Sequence, residues 1–302
     1  LCCSTFNGKE LSEGKSFGIE TKGDFAMAST NNCLHLVYTD DTSALFYTSY
    51  NNNVWSKPVS LQQSNVGSLG ITSYTDYNDG DEKLMLAWQD KESSAIRSLE
   101  YKNGNWDNNV IEVGQYTDGD LSISSLGASI YLVYKERNTF QMRMSSYNTA
   151  PFNSFKAHDF KNNLDPANDT SLHEWSPMDF PVGHFSKKMN QHQDEYLANG
   201  TLAMTSLEGE IHLAYRKRYK DTPQLSTTVF GLTGIMTAKS EKTNGFGTLN
   251  QAGWTREVVH PNIELDVNSA NAMGSSSKAL MHVYKEKGSS VLSYRMAFYE
   301  KK

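Results

Sequence analysis

Asp24-Phe25-Ala26-Met27-Ala28-Ser29, Ser68-Leu69-Gly70-Ile71-Thr72-Ser73, Asp120-Leu121-Ser122-Ile123-Ser124-Ser125, Thr201-Leu202-Ala203-Met204-Thr205-Ser206 and Glu264-Leu265-Asp266-Val267-Asn268-Ser269 read as five copies of one pattern. Large apolar residues take the second and fourth places, mostly small ones the third and fifth, and Ser the sixth. A period of two belongs to a strand, because successive side chains leave opposite faces. The small face suits a strand at the centre of a radial assembly, where neighbouring units converge and little room remains.

Working outward, each copy is followed by a nearly continuous apolar run, as expected of a strand covered on both faces. The runs are Leu34-His35-Leu36-Val37-Tyr38, Leu84-Met85-Leu86-Ala87-Trp88, Ile130-Tyr131-Leu132-Val133-Tyr134, Ile211-His212-Leu213-Ala214-Tyr215 and Leu280-Met281-His282-Val283-Tyr284. Third strands follow from Leu45 to Tyr50, Ile96 to Tyr101, Met142 to Tyr147, Leu225 to Phe230 and Tyr294 to Tyr299. Trp55, Trp106, Phe152 and Trp254 open a fourth, more polar strand. The expectation is one all-β domain over 1–302, a five-bladed β-propeller of four-stranded antiparallel blades. Its repeats span about 24–61, 68–113, 120–158, 201–260 and 264–302, with 15–21 supplying the strand that closes the last blade. Closure removes sheet edges that would otherwise template aggregation. Two segments, 156–200 and 231–253, interrupt the rhythm and read as insertions.

A net charge of −6 argues against a nucleic-acid binder, which needs a basic footprint. No window approaches the apolar length of a membrane span. The chain begins at Leu1, which reads as processing or trimming. Cys2, Cys3 and Cys33 allow at most one internal disulfide, and a bridge from Cys33 to Cys2 or Cys3 would fit a secreted protein. Sequons stand at Asn168 and Asn199.

Three groups of residues offer chemistry. The turn after each second strand carries a carboxylate beside an aromatic residue in four of five copies: Tyr38 with Asp40, Trp88 with Asp90, Tyr134 with Glu136 and Tyr284 with Glu286, while Lys217 stands in the fourth. Carboxylates take paired sugar hydroxyls and an aromatic face takes the C–H side of the ring, although charged turns also occur for solubility alone. Asp24, Asp120 and Glu264 head inner strands, with Asp266 nearby, and would be the catalytic set if the chain were a glycosidase with carboxylates at a channel mouth. His158, His173, His184 and His192 share the first insertion, but no HExxH or CxxC spacing supports a metal site. His35 and His212 alternate with Tyr131 and Met85 at one place of the repeat, which marks a packing position. No phosphate loop, GxSxG elbow or other cofactor motif is present. The Ser-x-Asp-x-Gly-x-Thr-Trp box of sialidase propellers is missing too.

The composite of Leu34–Tyr38, Leu45-Phe46-Tyr47-Thr48-Ser49-Tyr50 and Asn53-Val54-Trp55-Ser56 resembles the repeats of microbial and invertebrate β-propeller lectins. The resemblance is one of rhythm, covering nearly the whole chain outside the insertions. It implies glycan binding between neighbouring blades, several equivalent sites and no cofactor, with glycans or glycoproteins as partners. The alternatives are a glycoside hydrolase and a protein-interaction scaffold presenting the two insertions.

Overall fold

A computed structural model describes residues 1–3, 12–16, 18–21, 23–31, 33–139, 141–149, 174–177, 182–186, 191–195, 198–217, 224–231, 253–254, 258–265, 271–276 and 279–298. The described chain is all-β, and its sheets are antiparallel. In the first unit Phe25–Thr30 pairs with Cys33–Thr39, which pairs with Leu45–Asn51, which in turn pairs with Val54–Trp55 and Val59–Ser60. Left-handed Asn52 and Asn53, and Asn103 with Gly104 in the second unit, make the two-residue hairpins that the strand twist favours. The second unit is built from Val66–Thr75, Glu82–Asp90, Ala95–Lys102 and Asn105–Trp106. The strand Ile111–Leu126 then pairs twice. Its first part borders Ala95–Lys102 and its second part is the inner strand beside Ser129–Glu136, so units two and three merge into one eight-stranded sheet. Unit four runs from Ala198–Leu207 to Val258–Glu264, and unit five contains Asn271–Ser275, Ala279–Lys285 and Leu292–Phe298.

The fifth unit departs from the sequence expectation. Its inner strand is Asn271–Ser275, six residues downstream of the copy read at 264–269, so Met273 and Ser275 take the fourth and sixth places. Glu264 instead pairs with Gln224 at the edge of the fourth unit, and Leu265 bridges Glu286. Val66 opposite Asp90 and Thr117 opposite Glu136 make the same bridge, just before their inner strands. The third strand of this unit starts at Leu292 rather than Tyr294. Among the described residues the fifth unit has no fourth strand. Lys15–Ser16 pairs with Cys2–Cys3, not with Leu292–Phe298.

Cys33 is a free thiol, so the expected bridge to Cys2 or Cys3 is not formed. The reason is placement. Thr21 bonds to Thr39 at one end of the second strand, and Cys33 lies at the other end. Trp175 sits opposite Tyr147 as Trp55 sits opposite Tyr50, and so opens the fourth strand of unit three. Phe152, Asp266, His158, His173, the sequon at Asn168 and most of 231–253 lie outside the described residues. Within the first insertion, Gly183–Ser186 and Gln191–Glu195 form a hairpin of their own.

The core lies between units rather than within them. One hydrophobic cluster joins unit one to two, and further clusters join two to three, three to four and four to five. The first three are filled by the large second- and fourth-place residues of one inner strand packing on the unit before it, whereas the fourth sets Leu265 and Tyr284 on Ala214 and Leu225 with Met273 beside them. Ile71 is 6% exposed and Ile123 5%, whereas Phe25 and Met27 of the first unit are 55% and 47% exposed. On the fifth unit Leu292 and Tyr294 are exposed as well.

Candidate functional site

The inner strands of all five units line one channel of about 500 Å³. Its narrowness follows from the small third and fifth places. Glycine stands two residues before the second-place residue in four of these strands, at Gly23, Gly67, Gly119 and Gly200, and an added Cβ would meet Thr39 at Gly23 and Gln89 at Gly67. Gly119 and Gly200 have φ of 123°, a region that L side chains rarely adopt.

At the end where the inner strands begin stand two of the three sequence-identified carboxylates, Asp24 and Asp120. Burial pushes the Asp120 carboxyl up to about 6, against the opposing pull of Lys135 and the Gly200 N–H. Lys135 Nζ stands 3.8 Å from Asp120 and 3.9 Å from Asp118. The charge of Asp24 adds slightly to the upward shift of Asp120, and Asp24 is itself shifted upward by desolvation, with Lys91 opposing. Asp24 is exposed by surface area, so its shift carries less weight than that of Asp120. Glu264 does not join them, and its carboxylate lies 3.6 Å from Lys287 on the surface.

The turns after the second strands are occupied by their own geometry. Tyr38, Trp88, Tyr134 and Tyr284 are all buried, and the Tyr134 hydroxyl donates to Gln115 Oε1 at 2.9 Å. Asp40 accepts from the Thr42 hydroxyl at 2.7 Å and from the Thr42 and Ala44 N–H groups, and these bonds hold its carboxyl below the usual range. Burial pushes Asp90 up, but the Ser93 and Glu92 N–H groups and Arg97 outweigh it and the net shift is downward. Glu136 pairs with Arg143 at 3.3 Å, and Glu286 accepts from the Ser293 hydroxyl. The turns also staple neighbours together: Lys91 Nζ donates to Ser43 Oγ, and the Arg137 N–H to Tyr116 O.

His35 is a packing residue, as its place in the repeat suggested. It is buried, its Nδ1 pairs with the Tyr47 hydroxyl at 2.8 Å, and burial lowers its pKa. Tyr47, Tyr101 and Trp106 close around it between units one and two. Among the described residues no group of His, Cys, Asp and Glu is arranged to hold a metal. No helix there is long and apolar enough to cross a membrane.

A second mouth, where the inner strands end, was not singled out by sequence reasoning. The hairpins of units two, three and four surround a cavity there, with Ser73, Ser125 and Ser206 on its wall. The signal was the invariant sixth-place Ser, visible in the repeat but read only as part of its rhythm.

No family model matches this chain. No curated protein matches it either. Solved structures do. The chain resembles the β-propeller AofleA of Arthrobotrys oligospora at 12% identity and a TM-score of 0.54, over 91% of this chain and 68% of that one. It resembles the β-propeller lectin of Aleuria aurantia, crystallised with Fucα1-6GlcNAc, at 12% identity and a TM-score of 0.51, over 91% and 80% respectively. At that identity the likeness concerns the fold, which is propeller-like.

Proposed function

We propose that the chain is a five-bladed β-propeller that binds glycans as a secreted recognition module. The observation that carries this reading is the channel. All five inner strands line it, their third and fifth places offer small or hydroxyl-bearing side chains such as Thr72, Ser122, Ser124 and Thr205, and Asp24 and Asp120 stand next in sequence to its lining residues Phe25 and Leu121. Hydroxyl and carboxylate oxygens recognise sugar hydroxyls through hydrogen bonds, and the ionised acceptors make the stronger ones. The resemblance to lectins supports the reading at the level of fold, which by itself is weak warrant for function. Asp40, Asp90, Glu136 and Glu286 with their aromatic neighbours offer a second place for the sugar. Their engaged carboxylates and covered rings favour the mouth instead. Asp120→Asn should therefore weaken binding of a retained glycan about tenfold without lowering the melting temperature. Unchanged affinity in a folded variant would remove the mouth from the site.

A glycosidase reading draws on the burial of Asp120, which pushes its carboxyl up to about 6 and would suit a general acid near neutral pH. Asp24 would then be the partner carboxylate. In that case Asp120→Asn abolishes turnover of an activated aryl glycoside while binding persists, and equal turnover by the variant rejects the reading.

A further inference from the structure

The cavity at the second mouth is an open one of about 430 Å³, within the size range of small-ligand pockets. One wall is the long hairpin of unit two, which adds the pairs Tyr74 to Lys83 and Thr75 to Glu82 and a loop beyond them. Units three and four turn tightly, at Gly127 and at Glu208-Gly209. The long hairpin is fixed in place. Lys83 Nζ lies 2.7 Å from Asp76 and 2.8 Å from Asp79, and the Tyr77 N–H donates to Thr149 Oγ1 at 3.1 Å. A wall held this way needs no ordering when a ligand arrives.

The lining is rich in acceptors and negative. Ser73, Ser125 and Ser206 converge from three units, and Glu82 and Glu208 add carboxylates. The Ser125 hydroxyl spends its proton on the Ser73 carbonyl and faces a ligand with lone pairs only. Glu82 accepts the Asn31 N–H at 2.9 Å, which holds it in place. No Lys or Arg is among the described residues that line the cavity. Such a lining favours a ligand that donates hydrogen bonds and carries positive charge.

We propose that this pocket binds a protonated amino sugar, with the ammonium group between Glu82 and Glu208 and the ring hydroxyls on the serines. The inference rests on the glycan-binding reading and narrows it to one chemical class at a site separate from Asp24 and Asp120. It is tested by calorimetric titration of the full chain with glucosamine, N-acetylglucosamine and glucose at neutral pH. Glucosamine should bind saturably, and both neutral sugars at least about tenfold more weakly. Glu208→Gln, on an exposed turn, should weaken glucosamine about tenfold with an unchanged circular dichroism spectrum. Equal affinity for the three sugars, absence of saturation, or wild-type binding by the folded variant overturns the proposal. Binding of neutral glycans without glucosamine binding also overturns the pocket while the broader reading stands. A chain that binds no glycan of either kind loses both.

Discussion

Gly70 of the second unit lies directly against Ile123 of the third, so that a Cβ on Gly70 would stand 3.0 Å from Ile123 Cγ2. This contact is the repeat rule in miniature. A large fourth-place residue fills the space that a small third-place residue leaves, and the alternation along one strand becomes the packing between two units.

Gly70→Val should therefore overpack the junction and cost about 1–3 kcal/mol. The comparison is Gly274→Val in the fifth unit, where an added Cβ would meet nothing within 4 Å. Urea unfolding of both variants checks the pair. A smaller loss at Gly70 than at Gly274 would mean that the junctions are looser than the contact implies.

If the proposed propeller closes, the exposed Phe25 and Met27 would pack against the fifth unit, which exposes Leu292 and Tyr294. By equivalence with Gly70 and Ile123, Ala272 of unit five should face Met27 of unit one on closure. With Cys2, Cys3 and Cys33 replaced by Ser, the double variant Met27→Cys and Ala272→Cys should oxidise to a cross-link that migrates as monomer. A disulfide-linked dimer, or free thiols after oxidation, would contradict a ring closed within one chain.

Acid should act at the fourth junction. His282 is 4% exposed and donates from Nε2 to Asn271 Oδ1 at 2.5 Å, while the Asn271 amide donates to the Thr201 and Ala214 carbonyls. Burial first, then the nearby Arg295 and His260, depress His282 from 6.5 to about 4. Between those values the unfolded chain binds more protons than the folded one, so stability is complete above pH 6.5 and falls as pH drops toward 4. Asp120 acts in the opposite direction. Its raised pKa costs nothing below 3.8 and becomes a penalty as pH rises through about 6. Melting temperatures from pH 4 to 8 should show a smaller acid-side loss for His282→Gln and a gain for Asp120→Asn confined to the neutral side. Parallel curves for wild type and both variants would refute the assignment.

Four of the five inner strands were legible because period-two alternation runs through them, enforced in units two to four by the packing of their large residues on the unit before. The fifth was displaced because Asn271 replaces the large second-place residue and spends its amide on unit four, so the alternation is broken there. Leu265 and Val267 offered a better pattern six residues too early. A glycine stands two places ahead of the second-place residue in units one to four, but Ser269 takes that place in unit five, so only the sixth-place Ser275 carries the repeat through to the displaced strand. At the candidate sites, residue types showed where carboxylates stand in the repeat but not what engages them. Asp40 and Asp90 look like ligands in sequence and act as turn caps in the fold, because the N–H groups they bind come from a turn geometry the sequence does not spell out. Glu82 and Glu208 are distant in sequence and drew no notice, and only the convergence of three hairpins puts them around one cavity.

The most direct measurement is binding of the labelled full chain to a broad glycan array, repeated with free sugar as competitor. The account predicts reproducible binding to one glycan class that is lost on competition. Binding that no sugar competes away, or a blank array from protein with an intact β-sheet spectrum, would contradict it.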